Sequence, residues 1–455
     1  MKPAPTLSTA FLHPAGQSLP EPLLALRKQR GTALVDMPLP TRKTENWKYS
    51  SKYLKLTDDM AISLPAEGKT GSSLAVPGYK VGFLNGVMMP EACEYPDLDG
   101  ISIQSFSDLS DEDASDLADR LDSTLDNKAV QMARLNSARF EDGLLIRLKP
   151  DAVLDQPLFI VHEVTAEASG SAFPRIFVDA GRHSQITLVE EYISSGSAPV
   201  MGNTVTEFNV AEGANITSIR LNMEGENVQH IGSTGVVQQR SSRFESHTVG
   251  FGGPLRRHDL QVRLEGEGAE CKLNGVVVTQ GKQHYDNHTT IEHVAAHCNS
   301  EETYRNIAAD QSHAVFNGRI HIHQDAQKSN ADMNNKNLLL SNGAEIDTKP
   351  ELEIYADDVK CAHGATIGQL DETSLFYLVS RGIGRREAGD AGQHGRQAAS
   401  GCGPLLCRGR HRGYDGGVVQ SGRSRPCRAH HTDHERAPSY HVEAGGFRRR
   451  YDRQA

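Results

Sequence analysis

The stretch YADDVKCAHGATIG, Tyr355 to Gly368, sets a thiol and an imidazole two residues apart, at Cys361 and His363, behind Asp357, Asp358 and Lys360. In an extended chain successive side chains point to opposite faces, so Cys361 and His363 share one face and Ala362 takes the other. Zinc and iron accept thiolate and imidazole donors, but they take about four ligands and this pair supplies two. The residues alone leave three readings open: half of a metal site, a thiol activated by a neighbouring base, or a polar turn with a packed cysteine. No oxyanion-hole or nucleophile-elbow pattern surrounds the pair, which weighs against the nucleophile.

A second concentration of donors lies between residues 284 and 323: His284, His288, His293, His297 beside Cys298, His313, His321 and His323. On a strand His321 and His323 share a face and suit a bridging ion. The helical HExxH arrangement is absent, and histidines at such positions also serve as hydrogen-bonding groups. Gly68-Lys69-Thr70 resembles the end of a phosphate-binding loop, yet Ser63 stands where that loop needs its first glycine. No ATP site is expected on this chain.

These groups need a scaffold, and composition bounds it. A chain of 455 residues reads as two or three compact units. Its formal charge of −10 argues against a nucleic-acid binder, which normally shows a basic face. The first residues, MKPAPTLSTAFLHPAGQS, lack the apolar core of a secretory signal, and no apolar run reaches membrane-spanning length. The seven cysteines show no CxxC spacing, so a reducing cytoplasm is expected.

Patterning divides the chain into four. Residues 1–140 read as a mixed, largely helical domain. SLPEPLLALRKQR offers Ser18 and Glu21 at capping-box spacing, and Leu117, Leu121 and Leu125 fall four apart on an acidic segment read as one amphipathic helix with a solvated charged face. From 141 to 370 the text becomes short alternating apolar runs broken by glycine, asparagine and aspartate. FVDAGRHSQITL, NVAEGANITSI, LEGEGAECKL and LLSNGAEIDT share a strand, turn, strand form, which predicts the rungs of a parallel β-solenoid, with a large sandwich as the rival. Residues 371–388 start a C-terminal helical domain.

From Gly389 to Ala455 lysine disappears while arginine, glycine, histidine and three of the seven cysteines accumulate without helical or strand periodicity. Back-translation of PLLCRGRHRGY from the second codon base permits a helical apolar pattern. The segment is therefore expected to be an aberrant tail, frameshifted or without stable fold, rather than a nucleic-acid or metal-binding arm.

Three blocks carry a resemblance. LPTRKTENWKYS (Leu39 to Ser50), HCNSEETYRNI (His297 to Ile307) and the long run from Val315 to Ile383 closely resemble the SufB/SufD family of iron–sulfur cluster assembly scaffolds, and the first block favours its SufD branch. The resemblance covers residues from about 10 to 388. It implies a right-handed parallel β-helix flanked by helical regions. It further implies a non-catalytic subunit working with a SufB paralogue and the ATPase SufC, with sulfur-donor proteins as further partners. His363, together with Cys361, then faces SufB around a transient iron–sulfur cluster, and a reduced flavin binds in the complex. No nucleic acid or membrane is implied. The departure after Ala388 puts docking of the ATPase in doubt. The enzymatic alternative is a β-helix polysaccharide lyase or hydrolase using Asp357 and Asp358. The single tryptophan, Trp47, lies outside the solenoid text and speaks against a carbohydrate groove.

Overall fold

A computed structural model describes residues 6–12, 18–35, 37–66, 76–125, 130–369, 376–377, 379–382 and 384. Residues up to Gln369 belong to one compact unit built on two ten-stranded sheets. From Arg175 onward successive strands alternate between the sheets, and each up to Asn330–Leu339 pairs in parallel with the strand one coil before and one coil after it. That pairing is a parallel β-solenoid. The sandwich alternative fails because, among the described residues, antiparallel strand pairs are confined to the N-terminal end, Tyr79–Leu84 with Val87–Glu94 and Ile101–Ser105 with Gly143–Leu148.

Alternation in the sequence becomes alternation of environment. In Glu270–Thr279 and Asn299–Ala308 every second residue is buried. On the facing sheet the same in-register stacking lines buried residues into columns: Val236, Val262, Ile291 and Ile320 sit on consecutive coils. Each fully buried aliphatic side chain contributes about 1.5–3 kcal/mol, so the column both holds the coils together and sets their register.

The recurrent turns have a backbone reason. His183, Gly213, Ser241, Gly268, His297 and Lys328 all have positive φ, and each stands two residues before a strand of the same sheet. His297 thus occupies a left-handed turn position, a conformational role rather than a ligating one. Elsewhere glycine makes room. A Cβ at Gly275 would lie 2.2 Å from the Tyr304 ring of the next coil.

The N-terminal region contains helices α1 (Glu21–Thr32), α2 (Asp111–Arg120) and α3 (Gln131–Arg139), and it also supplies strands. Tyr79–Leu84 pairs in parallel with Leu158–Ala166, and Ile101–Ser105 pairs with Gly143–Leu148, so both sheets begin before residue 141. The expected capping box does not form: Pro20 is the N-cap of α1 and no side chain caps it. The single acidic helix is also corrected. Helix α2 stops at Arg120, and Asp122, at φ 69, turns inward to pair with Arg175 at 2.7 Å. Its charged face is not merely solvated, since Asp113 meets Arg147 at 2.5 Å and Asp116 is shared by Arg120 and Arg147 at 3.3 Å.

The Gly68-Lys69-Thr70 triplet, the start of the helical segment at 371–375 and the whole of 389–455 lie outside the described residues.

Candidate functional site

Lys360–Gln369 is the last strand of its sheet, paired on one side with Asn330–Leu339. Register opposes Ala331 to Cys361 and Met333 to His363. Ala331 and Met333 are core residues, so Cys361 and His363 occupy inward-facing positions of the terminal coil. Among the described residues no further strand pairs with this edge.

The two side chains differ. Cys361 is half-buried and packs against the main core, while His363 is exposed. Burial pushes the Cys361 thiol up, partly offset by a hydrogen bond from the Ala331 backbone. The isolated chain therefore presents a thiol that a metal or a basic partner must deprotonate. A Cβ at Gly364 would meet nothing within 4 Å, so this glycine does not answer a packing need. Cys361 also lines a shallow groove of about 1010 Å³ along one corner of the solenoid, walled by Arg243, Glu270, Lys272 and Glu301.

Behind this edge the interior is apolar with single buried polar groups set into it. The column through His363 continues inward to Met333 and Glu302, and the column through Cys361 continues to Ala331, Ser300 and Cys271. Glu302 is fully buried, and burial raises its carboxyl to about 8, with a hydrogen bond from Thr289 opposing. Burial also holds the Cys271 thiol well above its usual range. Sequence reasoning passed over Glu302, although Cys298, Ser300, Glu302 and Tyr304 alternate in HCNSEETYRNI and share the inward face.

The histidine concentration separates by face. His293 points inward and meets Ser300 Oγ at 2.8 Å. His284 accepts or donates at Ser50 Oγ at 2.8 Å under a stacked Tyr53 ring, 3.9 Å away. His321 and His323 do share a face, with rings stacked at 4.3 Å. The group does not assemble into one histidine site. Asp357 and Asp358 are exposed on a bend, and Asp358 is engaged there through its backbone with Gln327 and Lys328.

The block around Trp47 has a role that the sequence did not disclose. Arg257 lies 4.3 Å over the Trp47 ring, donates to the Asn46 carbonyl at 2.7 Å and pairs with Asp259 and Asp286 at 2.6 Å. Lys349 reaches Glu45 at 2.8 Å. The N-terminal segment is thereby clamped onto the outer face of the solenoid.

A family model described as the SufBD core domain of the SUF system for FeS cluster assembly matches residues 162–391. The chain is 31% identical over 389 residues to an iron–sulfur cluster assembly SufBD family protein of Synechocystis, covering 81% of this chain and 85% of that one. It is 31% identical over 357 residues to the iron–sulfur cluster assembly protein SufD of Escherichia coli, with 77% and 82% covered. The SufD protein of Bacillus subtilis matches at 26% over 260 residues, with 57% and 59% covered.

Proposed function

The chain belongs to the SufBD family of iron–sulfur cluster assembly proteins, and from that premise we propose that it is the SufD-type scaffold subunit of a SufBCD-type complex. The observation that carries the reading is the Cys361 and His363 pair, set side by side on the open terminal coil. A thiol and an imidazole suit iron bound to sulfide. Two donors are too few to retain a cluster, so a SufB-type paralogue docking at this edge completes the ligand set, and the incomplete half-site lets the cluster leave as cargo. The chain itself holds donors in place and performs no bond chemistry. ATP hydrolysis belongs to a SufC-type partner, sulfur arrives from donor proteins, and electrons come through a reduced flavin bound in the complex, all in the cytoplasm.

The lyase or hydrolase alternative finds no support. Asp357 and Asp358 are exposed on a bend, and Trp47 is buried beneath Arg257 rather than lining a groove.

Anaerobic reconstitution with iron and sulfide tests the proposal. The chain alone is expected to retain little cluster, and the chain with its SufB-type paralogue substantially more. A stoichiometric cluster on the isolated chain, surviving gel filtration, would overturn the shared half-site.

A further inference from the structure

On the outer face of the other sheet, the parallel strands His313–Ile322 and Glu345–Ile354 bring three donors together. Register opposes His313 to Glu345 and Val315 to Asp347. Glu345 and Asp347 are two apart on one strand and so share a face. One imidazole nitrogen and one oxygen from each carboxylate all lie within 4.8 Å of one another. His313 and Asp347 are almost wholly buried, and Glu345 is half-buried. The His313 Nε2 stands 2.8 Å from Asp347 Oδ2, and its Nδ1 faces the Tyr53 hydroxyl at 3.4 Å. Among the described residues Asp347 has no lysine or arginine partner, because the nearby Lys349 is taken by Glu45 and Glu351.

We propose that His313, Glu345 and Asp347 bind one divalent cation of the Fe²⁺, Mn²⁺, Zn²⁺ or Co²⁺ class. The donor set selects that class. Imidazole with two carboxylates suits borderline first-row ions, whereas Ca²⁺ and Mg²⁺ favour oxygen shells and Cu⁺ favours sulfur. Donors bonded at about 2.0–2.2 Å stand roughly 3–4.5 Å apart around one ion, so small side-chain rotations close the triad. The ion would neutralise the charge of the buried Asp347 carboxylate, whose ionic partner among the described residues is the His313 imidazole. Tyr53 is a positioning residue, holding the ring through the nitrogen that does not ligate, the usual arrangement for metal-bound histidine. Tyr53 belongs to the clamped N-terminal segment, which thereby closes one side of the site and leaves the remaining coordination positions to water. This site lies on the opposite sheet from Cys361 and His363, uses no sulfur, and stands independently of the cluster reading.

The test is an anaerobic titration of the full chain with Co²⁺ and with Fe²⁺, followed by visible absorption for Co²⁺ and equilibrium dialysis for Fe²⁺. The wild type is expected to bind one equivalent with a ligand-field band and a rise in Tm. Glu345→Gln and Asp347→Asn should lose tenfold or more in affinity and the Tm rise, while His363→Ala keeps both. Tyr53→Phe should weaken binding less and alter the band. Glu345→Gln is the decisive variant, because its half-buried side chain leaves the core intact by circular dichroism. Binding of one equivalent that persists in a folded Glu345→Gln and in Asp347→Asn, or no binding beyond adventitious surface ions, would overturn the proposal.

Discussion

His363 and Glu302 stand on the same inward-facing column of the solenoid, with Met333 as the one residue between them. Two coil spacings separate their backbones, about 10 Å. The exposed imidazole of the terminal coil is thus backed by apolar thioether, and behind that by a carboxyl kept from water.

That carboxyl makes stability depend on pH. Glu302 sits at about 8 in the folded chain against an ordinary 4.5, so the folded state holds a proton that the unfolded state releases across this window. Its contribution is fully present below about pH 4.5 and is lost as pH rises toward 8. The loss amounts to about 5 kcal/mol at most. Glu302→Gln is expected to flatten this part of the stability profile and to raise Tm at pH 9 relative to wild type. Thermal melts from pH 5 to 9 check it, and parallel profiles for both proteins would refute it.

His363→Ala is expected to leave stability within about 0.5 kcal/mol, because an exposed side chain has little packing to lose. Cluster yield in the complex with the SufB-type paralogue should fall severalfold. Cys361→Ala should cost about 1 kcal/mol, since its thiol packs on the core edge, with a milder loss of yield. A collapse in the melting temperature of His363→Ala would instead assign the histidine a structural role.

Arg257→Ala should destabilise the protein by about 3–5 kcal/mol, leaving Asp286 buried without its arginine. Asp286 is held well below the usual carboxylate range, where His288 and Arg257 outweigh the cost of burial. Trp47→Ala should cost a similar amount through the lost ring. Because the two side chains touch, the double variant should cost less than the sum. Additive denaturation midpoints would show that the N-terminal clamp does not work as a unit.

Gly275→Ala places a methyl group 2.2 Å from the Tyr304 ring, and a loss of about 1–3 kcal/mol is expected. Combining it with Tyr304→Leu should recover part of that loss. Urea unfolding of the three variants decides whether the glycine is there to seat the ring.

The break in composition after Gly389 leads to an expectation about the DNA. Sequencing codons 380–400 from the source genome should reveal one base whose removal restores a helical apolar pattern. Confirmation of the present frame would end the frameshift reading.

Much of the solenoid was legible because period-two alternation is a property of the extended backbone itself. KCAHGATIG placed Cys361 and His363 on one face whatever surrounds them, and the repeated glycine-containing turns foretold coils of similar length. Family-specific text from Val315 to Ile383 carried the assembly role. Other decisions depended on residues far apart in the chain. Parallel register with Asn330–Leu339 chose the inward face for Cys361 and His363, and their place on the last coil left His363 exposed. Capping of α1 was lost to Pro20, and the long acidic helix was cut where buried Arg175 draws in Asp122. His284, close in sequence to His288 and His293, was claimed instead by Ser50 and Tyr53 of the N-terminal segment. Local pattern determines which side chains point the same way, because that follows from backbone geometry alone. Which of them meet is decided by the stacking of coils and the docking of distant segments, where burial and charge pairing between remote residues set the minimum.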